Sequence, residues 1–133
     1  MIVLGIDPGG TTGFAVVQRD GFRPLVTGEL PLENLFTTLK KIITEHQPDK
    51  VVIEDIVKTG LLNSGKFSQI RAFEQTILAC AHADRGKGFS YALQPPESTK
   101  KFRKDLPQGV KGKHARDAYK VACIWMGDNG CSN

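Results

Sequence analysis

At 133 residues, the chain has the length of one domain, and we expect a single domain over residues 1–133. Its 40% hydrophobic and 24% charged residues are ordinary for a soluble globular protein, and its net charge of +4 is a mild hint of a polyanionic partner. No apolar run approaches the roughly 18 residues of a membrane span, and the three cysteines form no C-x-x-C pair. These features argue against a membrane protein, a disulfide scaffold and a zinc site. We expect a cytoplasmic protein.

The first part of the chain is predicted to form three strands. Ile2–Asp7 is a short apolar run that ends in a turn signal, which indicates a buried strand. Gly13–Arg19 is a second such run, and the intervening GGTT suits a hairpin connection. Pro24–Leu30 is a weaker third candidate, after the turn residues Asp20-Gly21. Together these runs predict an antiparallel meander.

The remaining chain alternates between helical periodicity and short β-rich runs. The pattern predicts a helix from Leu35 to before Pro48, a strand at Val51–Ile53, a helix that Ser68 caps and that ends before Arg85, a strand at Phe89–Leu93 and a helix at His114–Met126. Parallel strands need helical crossovers of this kind. We therefore expect an α/β fold: a five-stranded mixed sheet, built from an antiparallel meander plus parallel strands, with helices on both faces.

Three carboxylates lie at the ends of predicted elements. Asp7 ends the first strand, Glu54 follows the fourth, and Asp117 lies in the first turns of the last helix, on the same face as His114. Taken singly, each has an ordinary structural interpretation, such as an Asx turn before Pro8. Close together, three carboxylates repel one another unless a cation neutralises them. Hard oxygen ligands suit Mg²⁺ or Mn²⁺, and two such ions would serve a phosphodiester displacement. The glycines of the turn would then let a nucleic-acid backbone approach.

Three segments resemble the active-site blocks of RuvC-like Holliday junction resolvases: GIDPGGTTGFAVV, VVIED and HARDAYKVA. The likeness extends from residue 2 to about 125, and the element order is that of the ribonuclease H-like fold. It implies an endonuclease that cuts four-way DNA junctions as a homodimer with divalent metal, in a compact version of phage type. It also implies that Asp7, Glu54, His114 and Asp117 are the metal-binding and catalytic residues. The histidine stands where other members have aspartate, and both occur in the family.

A basic segment leads directly into the last helix. Its cations are opposed only by Asp105, and contacts of this kind with phosphates supply most non-specific DNA affinity. A solvated charged face is the ordinary interpretation, but the position beside His114 and Asp117 favours DNA contact. The segment contains Lys100, Lys101, Arg103, Lys104, Lys111, Lys113 and Arg116.

The residues that follow Glu54 also bear on DNA binding. The next loop carries Lys58 and Lys66, and the family likeness implies that it lies against the junction branch point. Phe67 either inserts beside an unstacked base or packs under the following helix, and the sequence leaves both open. Asp55 points to the opposite face from Glu54 in a strand, so we expect a surface or capping carboxylate.

Three other functions fit parts of the pattern. The DPGGTTG turn also resembles the phosphate-binding hairpin of actin-like ATPases and sugar kinases. Those proteins need two such domains, however, and Glu54 and Asp117 would then be unexplained. The same carboxylates would serve a nuclease that acts on RNA–DNA hybrids or on RNA. The third function is non-catalytic binding of branched DNA, against which the set of four site residues argues.

Overall fold

The computed structural model describes residues 1–55, 67–83, 90–95, 102 and 106–128. Every predicted strand and helix is confirmed, with described ends that differ by no more than two residues. In chain order the elements are β1 (Ile2–Asp7), β2 (Thr11–Gln18), a 3-10 turn (Asp20–Phe22), β3 (Arg23–Pro31), α1 (Leu35–His46), β4 (Lys50–Glu54), α2 (Phe67–Ala83), β5 (Ser90–Gln94) and α3 (Lys113–Asp128). No helix in these described ranges is long and apolar enough to cross a membrane.

The strands form one mixed sheet in the order β3-β2-β1-β4-β5. β1 to β3 are antiparallel neighbours, whereas β4 runs parallel to both β1 and β5. Ile6 of β1 pairs with Ile53 of β4. The next residues of these strands, Asp7 and Glu54, therefore end side by side at one margin of the sheet.

Helices cover both faces of this sheet. Val3 and Val52 belong to the cluster that packs against α3, whereas Leu4 and Ile53 belong to the cluster that packs against α1 and α2. Because the central strands are buried on both sides, their sequences are almost continuously apolar instead of alternating with polar residues. The alternation of side chains then directs Asp7, which follows Val3 by an even number of residues, toward α3.

The turn between β1 and β2 is closed by a buried threonine. The hydroxyl of Thr12 accepts the Gly9 N–H at 3.3 Å and donates to the Gly9 carbonyl at 3.1 Å. Gly13, which follows Thr12, faces α3: a methyl group on it would collide with the carbonyl oxygen of His114. At Gly13, therefore, the lack of a side chain admits the backbone of α3.

Two smaller expectations also need correction. Asp55 is only 3% exposed and lies on the face that packs against α1 and α2, so it is not a surface carboxylate. Its backbone N–H donates to the carbonyl of Gln94 at 2.8 Å, which extends the β4–β5 contact past the last ladder pair. Ser68 lies inside α2 as described, since the helix already includes Phe67.

Candidate active site

The four predicted site residues come from three elements that meet at one margin of the sheet. Asp7 is the last residue of β1 and Glu54 the last of β4, and both side chains lie on the α3 face. His114 and Asp117 lie in the first turns of α3, which packs across β1 and β2. Helix α3 thereby brings an imidazole and a third carboxylate to the two strand ends.

Direct contacts join these side chains. The Nδ1 atom of His114 lies 3.3 Å from Oδ2 of Asp7. The carboxyl groups of Asp7 and Glu54 lie close enough to influence each other's pKa, and the charge of Asp117 acts on both. Asp7 is also the most enclosed of the three carboxylates in this cluster, with 8% of its surface exposed. The cluster is thus centred on Asp7.

Burial and mutual repulsion change the acidity of the two strand-end carboxyls. Burial is the main cause that raises the pKa of Glu54 to about 8, followed by the charge of Asp7, its hydrogen bond and the charge of Asp117. Burial also raises the pKa of Asp7, and the charge of Asp117 adds to this, although hydrogen bonds from Glu54 and His114 act in the opposite direction. Near neutral pH, Glu54 therefore retains its proton when no cation is bound.

The residue types at this cluster fit a hard divalent cation. No three or more His, Cys, Asp or Glu side chains within the described ranges already have the arrangement of a metal site. Carboxylate oxygens, of which the cluster has three pairs, are the ligands that Mg²⁺ and Mn²⁺ prefer. Binding of a cation would replace the proton.

One contact at this cluster was missed by the sequence analysis. The carboxylate of Glu29, on β3, accepts the backbone N–H of His114 at 2.8 Å. Glu29 is 85 residues away from His114 along the chain, and no local motif marks it. Only the strand register places it beside the first turn of α3.

The predicted DNA-binding residues are only partly within the described ranges. Lys111, Lys113 and Arg116 are exposed around the start of α3, beside His114. Lys58, Lys66, Lys100, Lys101, Arg103 and Lys104 lie outside the described residues.

Phe67 is exposed at the start of α2. Its side chain is 70% exposed, so the interpretation that it packs under the helix is wrong. The neighbouring Ser68 lies against Gly10, in the turn after Asp7, with its hydroxyl oxygen 3.4 Å from the position of a methyl group on Gly10. Phe67 is therefore on the same margin of the sheet as the carboxylates.

Comparison with known proteins shows to which family the chain belongs. No model of a known protein family matches the chain. The crossover junction endodeoxyribonuclease RuvC of Geotalea uraniireducens is 30% identical over an alignment 149 positions long, which covers 92% of this chain and 86% of that protein. The chain belongs to the RuvC family.

Other RuvC proteins align over a shorter region. The Alkaliphilus oremlandii protein is 36% identical over 80 residues, and the Vibrio atlanticus protein is 33% identical over 96 residues. These alignments include 47% and 62% of this chain, and they span about half of each relative, 49% and 54%. Both include less of the chain than the Geotalea RuvC alignment does.

Solved RuvC structures share the fold. The Thermus thermophilus RuvC in complex with Holliday junction substrate has a TM-score of 0.75 at 18% identity, over 93% of this chain and 91% of that one. A second Thermus thermophilus RuvC structure has a TM-score of 0.71 at 17% identity, over 98% of both chains. The predicted ribonuclease H-like fold is thus confirmed.

Proposed function

We propose that this RuvC-family chain is a metal-dependent endonuclease that resolves four-way (Holliday) DNA junctions. The observation that carries the proposal is the cluster of Asp7, Glu54, His114 and Asp117 at the meeting point of β1, β4 and α3. Relatives are named crossover junction endodeoxyribonucleases, and one structural neighbour is in complex with Holliday junction substrate. A nuclease needs a concentrated set of acidic ligands, which this cluster provides.

The four residues of the cluster would each have a role in metal binding. Asp7, at the centre of the cluster, would bridge two Mg²⁺ or Mn²⁺ ions, while Glu54 and Asp117 would each hold one. His114 would complete the second site or orient the attacking water. When bound, such ions act as Lewis acids that activate water and stabilise charge on the phosphate and the leaving oxygen.

The protein's own side chains would position the attacking water and accept its proton. Asp7 orients the imidazole of His114 through the 3.3 Å contact with Nδ1, which leaves the other ring nitrogen available to the attacking water. The attacking water gives a proton to that ring nitrogen and its oxygen bonds to phosphorus. The bond from phosphorus to the 3′ oxygen then breaks and the 3′ oxygen takes up a proton, so the products carry 5′-phosphate and 3′-hydroxyl ends. Glu54 has to lose its proton before it can serve as a ligand, because a cation and a proton compete for the same oxygens.

Cations and an aromatic ring surround this acidic centre. Lys111, Lys113 and Arg116 are exposed beside His114, where they would pair with phosphates and offset the negative charge of the site. The exposed ring of Phe67 would stack on or insert beside an unpaired base at the branch point. The remaining predicted lysines and arginine would extend the same surface.

Two copies of the chain would act on one junction. A four-way junction has approximate two-fold symmetry, and a symmetric homodimer would place two active sites on opposite strands. Paired symmetric nicks would follow. Action on DNA also favours the cytoplasmic location expected from the sequence.

The test is cleavage of a labelled synthetic four-way junction, with linear duplex, single strand and an RNA–DNA hybrid alongside, in Mg²⁺, Mn²⁺ or EDTA. Paired nicks in the junction, lost in EDTA and in Asp7→Asn, would support the proposal. Preferential cutting of the hybrid would assign the same site to a ribonuclease. Tight junction binding without cleavage in either metal would contradict the catalytic assignment and leave a binding module.

A further inference from the structure

A row of three residues crosses the sheet beneath the start of α3. Asp7 of β1 pairs with Gly13 of β2, and Gly13 pairs with Glu29 of β3. Directly paired residues of neighbouring strands point to the same face, so two carboxylates flank the glycine on the α3 side. The backbone of His114 lies on that glycine, since a methyl group there would be 1.9 Å from its carbonyl oxygen.

His114 is held at both ends by this row. Asp7 contacts the imidazole at 3.3 Å, and Glu29 accepts the backbone N–H at 2.8 Å. The N–H groups of a first helical turn have no partner within the helix, so a carboxylate that accepts one of them anchors the turn. Glu29 therefore fixes the backbone whose side chain Asp7 contacts.

The local sequence of α3 explains why this anchor comes from another strand. Within α3 as described, the first turn contains no acidic residue, and it carries Lys113 and Arg116, which oppose the positive end of the helix dipole. Gly112 precedes it with φ of +94°, and a methyl group at Gly112 would lie 2.8 Å from the Glu29 carboxylate. The chain thus leaves room at Gly112 for a carboxylate that the helix itself does not provide.

We propose that Glu29 is a positioning residue for the metal site, which acts by holding the first turns of α3 so that His114 and Asp117 reach the strand-end carboxylates. This inference rests on the proposed function, because it assigns Glu29 to the same site. Glu29 is exposed, and its role is to place the residues of α3 without touching the cation or the substrate.

The test compares Glu29→Ala and Glu29→Gln with Glu45→Ala, all studied without DNA. Glu45 is a matched control, since it is an exposed glutamate on α1 whose contact is a 3.9 Å pair with Lys41. Mn²⁺ binding is titrated by electron paramagnetic resonance. The ring nitrogens of His114 are followed by ¹⁵N NMR in the metal-free protein, where they report the contact with Asp7.

Glu29→Ala is expected to weaken Mn²⁺ binding about tenfold, as loss of an outer-shell partner commonly does, and to change the His114 ring signal. Glu29→Gln should restore most of the affinity, because its amide oxygen still accepts the N–H bond. Glu45→Ala should match the wild type in both measurements. If alanine prevents folding, Glu29→Asp keeps the charge near the helix terminus but is one methylene shorter, and it should weaken binding too.

Unchanged Mn²⁺ affinity together with an unchanged ring signal in Glu29→Ala, or in Glu29→Asp if alanine prevents folding, would overturn the inference, even if thermal stability fell. Glu29 would then be a helix cap and nothing more. Failure of the proposed function looks different. A wild-type protein that does not cut junctions, but whose Mn²⁺ site and His114 signal depend on Glu29, would refute junction cleavage and retain the positioning role.

Discussion

Replacement of Gly13 by alanine tests whether contact between β2 and α3 sets the geometry of the site. The added methyl group would lie 1.9 Å from the carbonyl oxygen of His114 and 2.8 Å from the backbone nitrogen of Ala115. Contacts shorter than 3.0 Å are essentially never seen for such a carbon. Both partners are helix backbone, which cannot rotate away as a side chain would. Helix α3 must therefore move outward by about 1 Å at His114.

This displacement has a cost in stability and a larger one in activity. Overpacking of this kind costs about 1–3 kcal/mol in the free energy of unfolding, which should lower the melting temperature by about 5–10 °C for a chain of this size. The displaced turn carries His114, whose Nδ1 lies 3.3 Å from Asp7. A misplacement of about 1 Å at reacting groups lowers rates by about 100-fold. We therefore expect junction cleavage to fall about 100-fold while most of the protein remains folded.

The assay pairs thermal unfolding with junction cleavage at a temperature where both proteins are folded. Gly127→Ala is the control on the same helix, because no atom of the described residues lies within 4 Å of its added methyl group. It should be neutral or more stable by up to about 1 kcal/mol, since alanine favours helix. Wild-type melting and cleavage in Gly13→Ala would refute the argument that the glycine seats α3.

Three further predictions concern the site and its surroundings. Asp7→Asn should abolish junction cleavage but retain junction binding, because it breaks the metal site while it removes a charge that repels phosphate. Gel-shift and cleavage assays on one preparation measure binding and cleavage, and cleavage near the wild-type rate would contradict the prediction. The pKa of Glu54 is raised from 4.5 to about 8 in the folded chain, so the folded state binds the proton more tightly than the unfolded state does. The stability of the wild type in EDTA should therefore fall as the pH rises from 4.5 to about 8. Glu54→Gln, which cannot ionise, should lack that fall and melt higher than wild type above pH 8, whereas parallel pH profiles of melting temperature would show that the pKa is not raised. Phe67→Ala should change the free energy of unfolding by less than about 0.5 kcal/mol, because the ring is 70% exposed, yet it should weaken junction cleavage. Denaturant unfolding and cleavage assays measure the two effects. A large loss of stability would show that the ring packs against the protein.

The sequence by itself predicted the elements and the position of Asp7 and Glu54 at the ends of two strands. The apolar runs of β1 and β4 can be recognised in the sequence because these strands are buried on both faces. The helical periodicity of α1 and α3 can be recognised because each helix is buried on one face. Asp7 and Glu54 stood out because each interrupts an apolar run where a strand ends. Their proximity required only that β1 and β4 be neighbours, which is the usual arrangement of central parallel strands.

Tertiary structure alone decided which distant groups complete the site. The register of β2 against β1 and β3 aligns Asp7, Gly13 and Glu29 in one row, and no local pattern in the chain encodes a register between strands. The acidity of Glu54 and the burial of Asp55 likewise depend on what packs around them. A periodic pattern reports which face of an element is apolar, because that face is buried whatever covers it. The identity of the covering element, and hence the contact between Glu29 and His114, is set only when the whole sheet has formed.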